Sequence, residues 1–278
     1  MRDVLVFSES FKRWGGGVEY AARLAGAFDA HLTGIWVCAS PMAALPSFEE
    51  PELFAELLDA TLDLEREAFA SAAAFEAHVL QFGQRKSSWQ VAEGYVPEAL
   101  ALAGSWHDLL VVERSDHATW GSLSSVGNIV LGAGGLPCIV VPEQASVRAP
   151  ALDTVAIAWN GSTEAMRAAH AALPLLQGAR RIVILQGEQR PPSRMTAWLP
   201  PFELAGYLLR HGMTAESRAI KGGSEGDVGT AVLGAAGEIG AGLLVMGAYG
   251  HTRFREWVLG GVTRHVLAHA ALPVLLCH

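Results

Sequence analysis

The chain states one plan twice, and this repetition limits its fold more than any other feature. Leu109-Leu110-Val111-Val112 matches Leu243-Leu244-Val245-Met246, and VLGAGGLPCIV from Val130 matches VLAHAALPVLL from Val266. In each copy an apolar run is followed by a loop, a helical pattern, a Leu-Pro pair and a second apolar run. Short, wholly apolar runs suit strands buried on both faces. Their alternation with helices suits right-handed βαβ crossovers and a parallel sheet. The expectation for 278 residues is two tandem, doubly wound α/β domains, at 1–142 and 152–278. Pro142 to Pro150, PEQASVRAP, reads as the linker.

In the first half, strands are expected at Asp3–Phe7, His31–Val37, Ser88–Ala92, Leu109–Val112 and Cys138–Val141. Helices are expected at Val18–Phe28, Glu52–Gln81, from Pro97 and at Val126–Ala133. Gly15-Gly16-Gly17 reads as a flexible turn before the first helix rather than an anion loop. In the second half, strands are expected at Thr154–Ala158, Arg181–Leu185, Thr214–Ala219, Leu243–Met246 and Pro273–Leu276. One helix should reach Leu176, with others at Pro201–His211, Val228–Ile239 and Val262–Ala270.

Composition excludes several classes. Hydrophobic residues make up 51% of the chain and charged residues 17%, enough apolar material for a packed core and too little charge for disorder. No apolar window is long enough for a transmembrane helix, and the N-terminus lacks a signal-peptide core, so a cytoplasmic protein with no membrane partner is expected. Cys38, Cys138 and Cys277 sit far apart in apolar runs and read as small buried hydrophobes. Net charge is −8, unevenly spread: residues 1–145 hold 8 Lys and Arg against 19 Asp and Glu, residues 146–278 hold 12 against 9. The basic excess of the second half suits an anionic ligand, while nothing resembles a polybasic nucleic-acid patch.

The candidate site is Met246 to Thr263, MGAYGHTRFREWVLGGVT. Gly247, Gly250, Gly260 and Gly261 stand between an apolar run and the helical pattern that opens at Val262. Glycine permits close backbone approach, and a helix N-terminus offers unpaired N–H groups and a positive dipole end. Ligands of open α/β sheets sit beyond the carboxyl ends of the strands. Phosphates are therefore expected on Gly250, Gly260, Gly261 and the Thr263 hydroxyl, with His251, Arg253 and Arg255 adding positive charge nearby. The adenosine of a mononucleotide is expected against Ala158, Trp159, Asn160 and Gln186. The bland alternatives are that the glycines only shape a turn, that Trp159 is core and that Asn160-Gly161 is an ordinary turn pair.

Gly247-x2-Gly250-x9-Gly260 resembles the signature of the universal stress protein family in its ATP-binding subgroup. The preceding LeuLeuValMet, the trailing ValThrArg and the terminal LeuProValLeuLeu match as well. The resemblance covers the second half and, more weakly, the first, and the whole chain looks like the tandem type found in bacteria. It implies five-stranded parallel sheets with helices on both faces, Rossmann-like and similar to the adenine nucleotide alpha hydrolase group. It also implies binding of ATP or another adenine nucleotide, with or without Mg2+, at Gly247, Gly250 and Gly260. Domain pairing within the chain through the last strands, and a homodimer, follow from the same resemblance. Two positions depart from the pattern: Gly261 replaces a Ser or Thr, and Asn160 stands where Asp is frequent.

The first half has Glu113 at the position of Gly247, Asp116 at that of Gly250, and Ser124 and Ser125 at those of Gly260 and Gly261. Two carboxylates aimed at a phosphate cost about 1 kcal/mol each even in water, so the first domain is expected not to bind nucleotide in this way. His265 and His269 have a metal-compatible spacing but no local acid or Cys to complete a set. There is no Walker lysine and no GxSxG elbow. The expected function is a stress protein that binds ATP or another adenine nucleotide in its C-terminal domain, with regulatory output and no assigned catalytic residue. The alternatives are a nucleotide-free scaffold and a slow ATP-hydrolysing enzyme.

Overall fold

The computed structural model describes residues 1–40, 51–114, 126–132, 135–143, 150–187, 203–220, 225–248 and 261–277. The chain divides into two compact units, Met1–Ala149 and Pro150–His278.

The first unit contains β1 (Asp3–Phe7), α1 (Gly16–Ala27), β2 (His31–Cys38), α2 (Pro51–Ala70), α3 (Ala72–Leu80), β3 (Ser87–Glu93), α4 (Val96–Gly104), β4 (Leu109–Arg114), α5 (Val126–Gly132) and β5 (Cys138–Pro142). Its strands lie in the order β3-β2-β1-β4-β5, all parallel. Alternate residues of β2 show that both faces are covered. A Cβ on Gly34 would lie 2.5 Å from the Phe75 ring of α3, whereas Thr33 and Ile35 point to the other face, toward α4. Leu5, Val6, Leu110 and Ile139 are fully buried in this sheet, each contributing about 1.5–3 kcal/mol by leaving water.

The second unit repeats the order of elements: β6 (Thr154–Trp159), α6 (Thr163–Ala171), α7 (Leu173–Leu176), β7 (Arg181–Gln186), α8 (Leu204–Arg210), β8 (Glu216–Ala219), α9 (Glu225–Glu238), β9 (Leu243–Gly247), α10 (Gly261–His269) and β10 (Val274–Cys277). The strand order β10-β9-β6-β7-β8 is that of the first unit, again all parallel. Right-handed crossovers in this order put α6 and α8 on one face and α9 and α10 on the other; α9 and α10 pack on each other. The short β8 is exposed along its length. Arg181 of β7 reaches Glu216 of β8 through Nε (3.1 Å) and Nη2 (2.8 Å), and this bidentate contact holds the Glu216 carboxyl below its usual range.

Three expectations are corrected. Gly16 and Gly17 are not a turn but the first residues of α1, with Gly15 as its N-cap; the reason lies in Glu113, described below. The long helix expected over Glu52–Gln81 breaks at Ser71 into α2 and α3. The Ala68 carbonyl accepts from the Ser71 N–H (3.2 Å), the Ser71 hydroxyl (2.6 Å) and the Trp89 indole N–H (2.8 Å). Drawn to these donors, the chain tightens into a short turn there. The helix expected to reach Leu176 divides at Ala172 into α6 and α7. Pro174 has no N–H to bond four residues back, which explains the break. The expected linker lies mostly outside the described residues.

All three cysteines are buried and none is in a disulfide. The Cys38 thiol donates to Glu65 Oε1 at 3.2 Å; burial, then the Glu65 carboxylate, push it up to about 12. Among the described residues, no helix is long and apolar enough to cross a membrane.

Candidate functional site

The carboxyl ends of β6 and β9 lie side by side, Ala158 paired with Met246. From β6 the chain turns sharply. Gly161 has φ +76°, a left-handed conformation natural to glycine. Asn160 Oδ1 accepts the Ser162 N–H at 3.0 Å, and the Ser162 hydroxyl accepts the Ala165 N–H at 3.2 Å as the N-cap of α6. The expected turn is therefore built by its own side chains. The carbonyl oxygen of Asn160 serves that turn, which leaves the amide N–H2 as the end suited to a ligand.

Gly247 closes β9 against the start of α6. A Cβ on it would lie 2.5 Å from the Ala165 nitrogen and 2.9 Å from Glu164 Cβ. Only glycine lets strand and helix meet this closely. Across the cavity stands the first turn of α10, where Thr263 is 4% exposed.

These elements enclose a cavity of about 160 Å3, lined among others by Ala158, Trp159, Asn160, Gly247, Gly261, Val262 and Thr263. On the β7 side the wall is Leu185 and Gly187, with Gln186 between them and outside the lining. The Gln186 carbonyl accepts the Ile220 N–H at 2.8 Å, and the Gly187 N–H donates to the Trp159 carbonyl at 2.9 Å. Gly250, His251, Arg253, Arg255 and Gly260 lie outside the described residues. Sequence reasoning placed Ser162 in the framing loop but missed Glu164, Ala165, Ile220, Val228 and Val232 in the lining. Ser162 carries the signal of a helix cap before Thr163-Glu164, and Val228 and Val232 stand one turn apart on α9.

His265 and His269 do not converge on a common ligand point. His265 Nε2 lies 3.1 Å from the Thr230 hydroxyl, and His269 Nδ1 lies 2.8 Å from the His265 carbonyl. Among the described residues no group of three His, Cys, Asp or Glu is placed to hold a metal.

The first unit treats the same place differently. Glu113, at the position of Gly247, turns its side chain toward the N-terminus of α1. The N–H groups of Gly17 and Gly16 donate to its carboxylate. A Cβ on Gly15 would lie 2.1 Å from Glu113 Oε2, and one on Gly17 would lie 2.8 Å from Glu113 Cβ. The glycines of α1 are thus the room that Glu113 occupies. The carboxylate, expected to aim at a phosphate, is aimed at the start of α1. Burial raises the Glu113 carboxyl above its usual range, as do the charges of Glu143 and Glu9, while the two glycine N–H groups pull the other way. Glu9, in the same cavity of about 280 Å3, is also raised by burial. Asp116, Ser124 and Ser125 lie outside the described residues.

Residues 207–278 match the sequence profile of the Universal stress protein family. A comparison with curated proteins returns no match. A universal stress protein from Archaeoglobus fulgidus DSM 4304 has a similar structure, with a TM-score of 0.66 and 16% identity over 99% of this chain and 97% of that one. A functionally unknown protein from Pseudomonas aeruginosa PAO1 has a TM-score of 0.55 and 14% identity over 100% of this chain and 92% of that one. At such identities the likeness speaks to the fold. The chain thus has a universal stress protein family domain at residues 207–278, within a fold that a universal stress protein shares along nearly its full length.

Proposed function

We propose that the second unit binds an adenine nucleotide, ATP foremost, and that the protein acts through this binding rather than through turnover. One observation carries the reading. The Trp159–Asn160 turn, the end of β9 at Gly247 and the first turn of α10 at Gly261, Val262 and Thr263 all face one cavity on the carboxyl side of the sheet. That is where open α/β sheets take ligands, and a helix N-terminus favours phosphate. The cavity's about 160 Å3 suits the base or sugar, with phosphates directed toward α10 and the glycine frame. Mg2+ would be held chiefly by the phosphates and water. The first unit, with Glu113 in place of Gly247, does not bind nucleotide in this manner.

The test is to denature the purified protein and identify any released nucleotide, then to titrate ATP calorimetrically into wild type and Gly261→Glu. Binding by wild type and its loss in the variant is the expected result. No released nucleotide together with no heat from ATP would overturn the reading. Multiple turnovers of labelled ATP with Mg2+ would favour an enzyme instead.

A second reading, a nucleotide-free scaffold, draws support from Gly247 itself. The 2.5 Å approach to Ala165 accounts for that glycine by packing alone.

A further inference from the structure

A further cavity lies in the first unit, away from the sheet edge where Glu113 sits. It holds about 630 Å3 between α4 and the face of β1, β2 and β3 that carries Leu5, Thr33 and Ile35. The strand order explains it: the single helix between β3 and β4 covers the middle of the sheet and leaves the β2–β3 side of that face open. Its volume is that of a small-molecule site.

Its chemistry is one-sided. Glu93 at the end of β3 and Glu98 in the first turn of α4 both line it, and no Lys or Arg is among the described lining residues. Neither carboxylate is in an ion pair among the described residues. Ser40 donates a hydroxyl hydrogen bond to Glu93, which orients that carboxylate without neutralising it. His107 lines the far end, with its Nδ1 2.7 Å from the Ala103 carbonyl. Leu102, four residues after Glu98 on α4, and Trp106, in the turn just past the end of α4, line the cavity as well. They are 68% and 83% exposed and set an apolar rim beside the carboxylates. An apolar floor, an acidic end and an indole on the rim form a complementary set. The carboxylates attract a cation to their end of the cleft, while the apolar floor and the indole cover its apolar groups.

We infer that this cleft binds an apolar organic cation small enough to fit between α4 and the sheet. The inference is independent of nucleotide binding in the second unit.

The test uses two ions of the same shape and opposite charge. The full chain is titrated calorimetrically with tetraphenylphosphonium and, separately, tetraphenylborate. The phosphonium binds and the borate does not. Replacing both Glu93→Gln and Glu98→Gln weakens the phosphonium about tenfold at about 0.05 M salt, and less at about 0.5 M salt. Leu102→Arg, at an exposed position, abolishes binding while circular dichroism and melting stay as in wild type. Absence of phosphonium binding, equal uptake of the two ions, or binding unchanged in these variants would overturn the inference. So would concentration-dependent self-association that Leu102→Arg removes, which would assign the face to a second copy of the chain.

Discussion

The carboxylate of Glu113 stands where a side chain on Gly15 would have to be, since a Cβ there would lie 2.1 Å from Glu113 Oε2. The neighbouring Gly17 is tighter in kind, because its Cβ would meet Glu113 Cβ at 2.8 Å and the Glu113 backbone nitrogen at 3.2 Å. A carboxylate tip can swing aside, whereas Cβ and backbone cannot. Gly17→Ala is therefore expected to cost about 1–3 kcal/mol in urea unfolding, and Gly15→Ala distinctly less. Adding Glu113→Gly to Gly17→Ala should recover part of the loss. Equal costs for the two alanines would show that the Glu113 contact does not decide.

The mirror contact gives a second expectation. Gly247→Ala pushes a methyl group to 2.5 Å from the Ala165 nitrogen and 2.6 Å from the Glu164 carbonyl carbon. A loss of about 1–3 kcal/mol is expected in protein freed of nucleotide. A variant as stable as wild type, yet unable to bind ATP, would show that Gly247 serves the ligand alone.

How far the sequence alone foresaw this arrangement depends on the kind of signal. The strands were legible because each is a compact apolar run, and Leu109–Val112 and Leu243–Met246 differ little in that respect. The direction of Glu113 was not legible. Its chain position equals that of Gly247, but its orientation depends on room made by Gly15 and Gly17, nearly a hundred residues earlier. The break at Ser71 was hidden similarly, since one of the donors that hold it is Trp89 in another element. Pro174, by contrast, is a breaker visible in the sequence, and the expectation of one helix to Leu176 passed over it. At the candidate site the turn at Asn160 and the wall of α10 were readable from local residue chemistry. The α9 wall, Val228 and Val232, came from packing across the sheet.

The protonation of Glu113 has a measurable sign. Its carboxyl is raised above 4.5 by burial first, so the folded protein holds that proton more tightly than the unfolded chain. Its contribution makes stability fall as pH rises through the window above 4.5 and recover as pH is lowered toward it. Glu113→Gln keeps an acceptor for the glycine N–H groups and removes the buried charge. Its urea midpoint at pH 7 should exceed that of wild type with an unchanged slope, and the gain should shrink as pH approaches 4.5. A lower midpoint at pH 7 would mean that attraction between the carboxylate and the start of α1 outweighs burial.

Cys38 should be a poor nucleophile. With its thiol at about 12, the thiolate fraction at pH 8 is about one in ten thousand. Alkylation by iodoacetamide in native buffer should be far slower than after unfolding. Glu65→Gln removes the carboxylate that accepts the thiol hydrogen at 3.2 Å and should speed the reaction. Fast alkylation of native wild type would contradict this placement of Cys38.

The two units have solved one strand-to-helix contact in opposite ways, glycine on the helix in one and glycine on the strand in the other. The two halves of this contact are therefore not exchangeable between the units. A hybrid that joined the first unit's β4 to the second unit's α6 would drive a glutamate into Glu164 and Ala165. The reciprocal hybrid would set glycine against glycine and leave a hole. A substitution on either partner alone meets the same steric barrier, so at this contact strand and helix have to change together.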